Sequence, residues 1–257
     1  MGKSSSSPPK NWNTLSRPST GYSNAERLTA ACVLSLIGGF LDIYTYLCRG
    51  RVFANAVTGN MVLFGMNLAN LEWYACGKYL LAIFSYALGV FAAEVIHRRL
   101  PSARRISWHQ TTLAMEICCL VPVIFIPHGE YDFVVNALIA FVCALQVQTF
   151  RRVNGLPFAS TMCTGNLRSG TEALSRRLLS GETAELSKAF HYYLVIVCFI
   201  AGATLGAVLL NRFGDSVFPL APIGLIAVFF LVTSRRQAAI FRRNWRSHFR
   251  KRNEIDG

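Results

Sequence analysis

Acidic residues are scarce in this chain. Asp and Glu number 13 among 257 residues, against 26 Lys and Arg, and charged residues of both signs make up only 15%. A soluble domain typically carries about 25% charged residues. Apolar residues reach 53% and the mean hydropathy is +0.36, which excludes disordered and collagen-like chains. The composition predicts an integral membrane protein.

Motifs for catalysis, nucleotide binding and metal binding are also missing. The sequence contains no GxSxG, HExxH or P-loop pattern. Its five histidines lack metal-ligand spacing, and its eight cysteines form no CxxC pair. The cysteines are therefore expected to be buried free thiols rather than disulfides or zinc ligands. We expect neither an enzyme nor a bound cofactor or metal.

Apolar runs divided by basic loops predict six transmembrane helices. A helix of about 20 residues crosses the hydrocarbon core of a bilayer, which is about 30 Å thick. The predicted spans are Leu28–Leu47, Gly77–Val95, Thr111–Ile126, Phe133–Phe150, Tyr192–Leu210 and Val217–Val232.

Two further segments, Val52–Leu68 and Phe158–Leu179, mix apolar residues with polar ones. Each contains a Thr-Gly-Asn triplet, at 58–60 in the first and 164–166 in the second. The second segment also carries charged residues, which are too costly for a lipid-facing span. We predict that both segments form re-entrant helices.

The two triplets indicate an internal repeat. Asp42 precedes the first triplet by 16 residues, and Gln146 precedes the second by 18 residues. The spans that follow both carry small residues at every fourth position, which lets helices approach closely. These small residues are Ser85, Gly89 and Ala93 in one span and Cys198, Gly202 and Gly206 in the other.

The distribution of basic residues predicts the orientation. The loop 97–105 holds four arginines and no acid, and the C-terminal tail holds eight basic residues, so both are expected in the cytoplasm. Four spans separate them, so the second interrupted segment must begin and end in the cytoplasm. The halves then form an inverted 3+3 repeat, with 127–132 outside. Arg49 and Arg51 are exceptions, because this topology places them outside. A seven-span alternative, in which the first interrupted segment crosses, stays open.

The chain is accordingly divided into four regions. In the last of them, Phe241, Trp245 and Phe249 recur among arginines at every fourth position, which is typical of an amphipathic helix on anionic lipid headgroups. Nucleic acid is the less favoured partner. The regions are a disordered cytoplasmic tail (1–27), two membrane repeats (28–127 and 128–234) and a basic cytoplasmic tail (235–257).

Several stretches together resemble a known family. These are Gly39-Phe40-Leu41-Asp42, the run TGNMVLFG from Thr58, and Ala144-Leu145-Gln146 with the later triplet. They resemble the YoaK-like family of bacterial inner-membrane proteins, a domain of unknown function, over about residues 28–233. Ala144 stands where glycine is expected and Asn166 where threonine is commoner. The resemblance implies a multi-pass plasma-membrane protein and supplies no substrate, cofactor or catalytic residue.

The triplets and their preceding polar residues are the candidate substrate-binding site. Thr58 and Thr164 are placed to cap helices that begin at the next residue, and helix N-termini inside a membrane attract anions. A packing turn without a ligand is the alternative. Asp42 is predicted as a proton or cation site or as a polar clamp on the first turn, and Glu116 as a further candidate. The full candidate set is Asp42, Thr58, Gly59, Asn60, Gln146, Thr164, Gly165 and Asn166.

The predicted function is a small secondary transporter or permease for a small polar or anionic solute. It depends on likeness to inverted-repeat transporters, whose broken helices meet near the bilayer midplane. The alternative is a non-transporting scaffold or regulator that acts through the basic tail. The expected partners are the lipid bilayer, anionic headgroups and an unidentified solute, and a homo-oligomer stays open.

Overall fold

Helices make up nearly the whole fold. The computed structural model describes residues 27–100 and 107–233. A two-stranded hairpin pairs β1 (Arg152–Val153) with β2 (Leu156–Pro157), and 3-10 turns cover Pro122–Phe125 and Gly214–Val217. The α-helices within the described residues are α1 (Leu28–Cys48), α2 (Val57–Ala69), α3 (Trp73–Arg99), α4 (Trp108–Leu120), α5 (Asp132–Thr149), α6 (Cys163–Ser180), α7 (Thr183–Phe213) and α8 (Leu220–Val232).

Five helical segments in the described part of the chain are long and apolar enough to cross a membrane. They correspond to five of the six predicted spans. The sixth prediction falls on α8, which is apolar but has only 13 residues. The helix α2 also has 13 residues, which gives a rise of about 20 Å against a hydrocarbon core of about 30 Å. These five segments are Leu28–Cys48, Trp73–Arg99, Trp108–Phe125, Asp132–Thr149 and Thr183–Val217.

Local sequence signals set several helix ends. Ser107 and Gln110 form a capping box at the start of α4, in which each side chain bonds the other residue's backbone N–H. Pro122 ends the regular part of that segment, since proline has no N–H for the helical ladder. Gly181 follows α6 with φ +74°, a left-handed conformation that glycine adopts without strain.

Close helix packing occurs at the small residues that the sequence pattern singled out. The helix α7 packs on α1, and α3 packs on α5. A Cβ added at Gly202 would lie 2.0 Å from the carbonyl oxygen of Leu36, and one at Gly89 would lie 2.4 Å from that of Phe141. The prediction that these positions allow close helix approach is therefore confirmed.

One end of the bundle is organised around Arg49, and we call it the Arg49 end. This side chain is 1% exposed. It donates to Asp132 Oδ1 (2.9 Å) and to the carbonyl oxygens of Ile126 and Pro127 (2.9 and 3.0 Å), and it lies 3.5 Å from Asp215 Oδ2. The end of α1, the loop before α5 and the turn after α7 thus meet at this end.

The opposite end, which we call the Trp108 end, joins the ends of α3, α5 and α8 to the start of α4. The Trp108 ring lies 4.4 Å from that of His97, measured between centroids, and the rings of His109 and Phe150 lie 5.5 Å apart. Gln110 donates to Thr233 Oγ1 at 3.0 Å.

Each interrupted segment returns to the end of the bundle where it began. The Nζ atom of Lys78 in α3 donates to Gly50 O at 2.8 Å, so the chain leaves α1 and enters α3 at the Arg49 end. The second segment leaves α5 at the Trp108 end. It joins α7 at that same end, because α7 runs unbroken to the Arg49 end at its other terminus.

The cysteine prediction is confirmed only in part. All eight cysteines are free thiols. Only Cys76 and Cys143 are buried, however, and Cys118 is exposed. Cys118 lies on a helical segment long and apolar enough to cross a membrane, and on such a segment an exposed thiol would meet lipid, where it is as well accommodated as in the core.

Candidate functional site

Both triplets are held by their asparagines. Asn60 Oδ1 accepts from the N–H of Phe53 at 3.0 Å, and its Nδ2 donates to the carbonyl oxygen of Phe53 at 2.6 Å. Asn166 makes the same pair of bonds to Ala159, at 3.3 and 2.6 Å. Each asparagine therefore pairs with the backbone of the residue seven positions earlier, and we call each such pair an asparagine clamp.

The predicted capping role of Thr58 and Thr164 is wrong. The helices begin one residue before each threonine, with Ala56 and Met162 at the N-cap positions and no side-chain cap. Both threonines are exposed in the first turn of their helices. The asparagine clamp fixes the entry of each helix, so the turn does not require a hydroxyl at the N-cap.

Asp42 lies against the first turn. Its Oδ1 accepts from the backbone N–H of Asn55 at 2.7 Å, and the backbone of Ala54 and Ala56 also interacts with the carboxyl group. Asn55 in turn donates from Nδ2 to Gly38 O at 3.1 Å. The structure thus gives Asp42 the contacts of a polar clamp, one of its two predicted roles, while the proton or cation role stays a prediction.

Gln146 lies in the equivalent place beside the second turn, where its side chain makes different bonds. Its Nε2 donates to Ser160 Oγ at 3.0 Å and to Leu34 O at 3.1 Å. Its Oε1 is buried and has no hydrogen-bond partner among the described residues. The second turn therefore has a neutral amide where the first has a carboxyl group.

The two turns meet at the middle of α1. Asn55 bonds the carbonyl of Gly38, and a Cβ added at Gly38 would lie 2.3 Å from Thr161 Cγ2. Cys163, the first residue of α6, lies within electrostatic range of the Asp42 carboxyl group. The start of α6 therefore lies close to the carboxyl group that holds the start of α2.

The two triplet glycines differ in their surroundings. A Cβ at Gly59 would lie 3.2 Å from the ring of Phe53, whereas a Cβ at Gly165 would have no protein atom within 4 Å. Packing against a neighbouring helix therefore does not explain the glycine at 165. Backbone approach by a solute stays a prediction for Gly165.

Sequence reasoning missed Asn55, Ser160 and Thr161, which join the candidate residues to α1 and α5. All three are buried polar residues just before a triplet. Their position in the interrupted segments was the available signal, since a polar residue inside an apolar bundle is expected to hydrogen-bond.

Arg49 was predicted to be an unexplained charge on the outer side, and its contacts now account for it. Burial alone would lower its pKa, but its hydrogen bonds to Asp132 and Tyr44 raise the pKa above the ordinary value. An arginine paired in this way with Asp132 and Asp215 carries little free charge for the positive-inside rule to count. On α3, Glu94 pairs with Arg98 one turn along the helix, at 2.8 Å.

Two predicted regions lie outside the described residues. These are residues 1–26 of the N-terminal tail and the basic tail from 235 onward, including its amphipathic pattern.

Comparison with known proteins identifies the family. The model of the family described as "Protein of unknown function (DUF1275)" matches residues 30–232. The chain is 27% identical over 157 residues to the UPF0700 transmembrane protein YoaK of Bacillus subtilis (strain 168), which covers 60% of this chain and 70% of that protein. No solved structure matches. The chain belongs to the DUF1275 family and is a YoaK-like transmembrane protein.

Proposed function

We propose that the protein is a small secondary transporter or permease for a small polar or anionic solute. The observation that carries this proposal is the meeting of two helix-initiating turns at Gly38, in the middle of α1. Helix N-termini direct unpaired N–H groups and partial positive charge toward a bound anion. Transporters built from inverted repeats place broken helices at the substrate site in this way.

The packing supports an inverted repeat of two halves. The helix α1 packs on α7 and α8, and its counterpart α5 packs on α3 and α4. The helix α2 packs on α3, as α6 packs on α7. One interrupted segment begins and ends at the Arg49 end and the other at the Trp108 end, which is the arrangement expected of halves with opposite orientation.

The second turn is the better place for the anionic group of a solute. At the first turn the carboxyl group of Asp42 already accepts from the backbone N–H of Asn55. At the second turn, Gln146 provides an amide and no carboxylate. Thr164 and Gly165 are exposed there, and no protein atom lies within 4 Å of an added Cβ at Gly165.

Ligand-dependent thermal stability in detergent tests the proposal. A panel of inorganic phosphate, sulfate and small carboxylates is added to the purified protein. A ligand at 100 times its Kd should stabilise the folded state by about 2.7 kcal/mol. Gly165→Ala should fold and lose the stabilisation, because the methyl group would obstruct the approach of a solute to the backbone. Gly65→Ala is the matched control, because its methyl group also enters open space, on α2. This variant should keep the ligand-dependent stabilisation.

Unchanged stability of the wild-type protein across the panel would count against a small anionic solute. Equal stabilisation of wild-type protein and Gly165→Ala would place the ligand away from the second turn.

Reporter fusions test the orientation. Reporters after Ser107 and at the C-terminus should lie in the cytoplasm, and one at Gly129 should lie outside. A cytoplasmic reporter at Gly129 would refute the inverted topology.

A further inference from the structure

Glu116 is a buried acid that the candidate site leaves unused. It lies in α4, its side chain is 0% exposed, and neither carboxyl oxygen has a hydrogen-bond partner among the described residues. An ionised carboxylate without a partner costs far more in an apolar interior than the protonated acid does. The carboxyl group therefore holds a proton in this conformation.

The corresponding position of the other half holds an apolar residue. Glu116 is the ninth residue of the 13-residue helix α4, and Val228 is the ninth residue of the 13-residue helix α8. Both side chains are completely buried. Since valine fills the matching place in the other half, an acid at 116 adds a cost that packing does not explain.

Few titratable groups surround Glu116. On its own helix it interacts electrostatically with Cys119, and on α5 with Cys143. The helix α8 contains no titratable side chain, and α3 meets α4 at His97 and Trp108, about two turns away. Cys143 also interacts electrostatically with Asp42, so this thiol lies within electrostatic range of both acids.

The surroundings favour a proton over a metal cation as the ligand. Hard cations require several oxygen ligands, and the described residues contain no group of three or more His, Cys, Asp or Glu residues near Glu116 or elsewhere. A single carboxyl group with no partner can still bind and release one proton.

We propose that Glu116 is a proton-exchange site inside the bundle, which releases its proton to water when the bundle opens and regains it before closure. The role of this site in coupling proton movement to solute transport rests on the proposed function. The exchange itself does not, because it needs only the acid and an opening of the bundle.

Labelling with dicyclohexylcarbodiimide tests the exchange in the full-length protein in detergent. This apolar reagent reacts with a protonated carboxylic acid. The carboxyl oxygen bonds the carbodiimide carbon, the acid proton passes to a nitrogen, and an acyl shift gives a stable N-acylurea with no leaving group. Because Glu116 is sealed in the closed bundle, modification requires both protonation and opening. Peptide mass spectrometry measures it.

We expect an N-acylurea on Glu116 whose yield falls as the pH rises, by up to about tenfold per unit once the acid titrates in the open state. Glu94, which pairs with Arg98, is the internal comparison and should stay unlabelled. Glu116→Gln should lose the adduct on its peptide, whereas Asp42→Asn should keep it.

The absence of the adduct from Glu116 in folded wild-type protein would overturn the proposal. Glu116→Val, which copies Val228, should fold with unchanged or higher thermal stability. Failure of both Glu116→Val and Glu116→Gln to fold would show a structural role and would also overturn it. Labelling without stabilisation by any anion would count against an anionic solute alone, and stabilisation without labelling would reject only the exchange.

Discussion

The two interrupted segments share one structural feature and differ in another. Both are closed by an asparagine clamp, with nearly the same bond lengths in each half. The acid beside the first turn, Asp42, bonds the backbone at 2.7 Å, and the second turn has Gln146 instead. The asparagine clamp is the same in both segments, whereas the polar residue beside the turn is Asp42 in one and Gln146 in the other. We infer that the clamp forms the turn and that the neighbouring residue determines whether an acidic group lies beside it.

The helices that follow the two turns also differ, in the polarity of their exposed faces. The outward face of α2 is apolar and includes Met61, Val62 and Met66. The helix α6 carries Arg168, Glu172 and Arg176 in its exposed positions. The second half is thus the more polar along its interrupted segment. Among the described residues, the buried acids are Asp42 and Glu116 in the first half and Glu185, which pairs with Lys188, in the second.

The largest effects are expected where the two halves pack alike. Gly202→Ala and Gly89→Ala should each destabilise the fold by about 3 kcal/mol, because the new methyl group would clash with a backbone carbonyl that cannot move independently. Thermal unfolding in detergent measures the loss of stability. Gly77→Ala is the control, because its methyl group would enter open space. A near-neutral Gly89→Ala beside a damaging Gly202→Ala would show that only one helix pair is tightly packed.

Removal of the clamps should cost somewhat less. Asn60→Ala leaves the half-buried N–H and C=O of Phe53 without their partners and should destabilise the fold by about 2 kcal/mol. Asn166→Ala should cost slightly less, because its bond to the N–H of Ala159 is longer, at 3.3 Å. The same unfolding assay compares the two variants. A much larger loss for Asn166 would contradict the equivalence of the clamps.

The close packing at the small residues was predictable from sequence, whereas the clamp was not. The triplets and the small residues of α3 and α7 are periodic signals, so their spacing is visible in the chain itself. The clamp joins an asparagine to the backbone of Phe53 or Ala159, neither of which is distinctive as a residue type. A side-chain bond to backbone seven residues earlier depends on how the loop folds back, and no local pattern records it.

Arg49 shows the same limit of sequence-based prediction for residues that are far apart in the chain. Its sequence neighbours predict a free charge on the outer side, but its partners lie 83 and 166 residues further along the chain. Only the folded bundle brings Asp132 and Asp215 to it. Charge counting uses only local sequence, so it could not account for Arg49, whose charge is paired across the fold.

Replacement of Asp42, the acid beside the first turn, should have a smaller effect on stability. Asp42→Asn keeps an oxygen to accept from Asn55, but its amide also points N–H groups at the surrounding backbone, so we expect a loss of about 1 kcal/mol. If Asp42 is a functional site, the variant should fold and lose ligand-dependent stabilisation. Gln146→Ala, which removes the amide of the other half, is the comparison. Wild-type ligand response in Asp42→Asn would leave Asp42 as a clamp alone.

The smallest effect is expected on α6 and would decide what its outward face contacts. Glu172 pairs with Arg176 one turn along the helix, and both side chains are 55% exposed. If water reaches this face, Glu172→Gln should change stability by less than about 0.5 kcal/mol, and added salt should reduce the difference further. If lipid covers it, the variant would leave Arg176 unpaired in an apolar medium, and the loss would be several times larger and insensitive to salt. We expect the small, salt-sensitive effect, because a helix with this charge pattern is stable beside water and α2, with its apolar face, is the one suited to lipid. Thermal unfolding of wild-type and variant protein in nanodiscs at low and high salt separates the two outcomes.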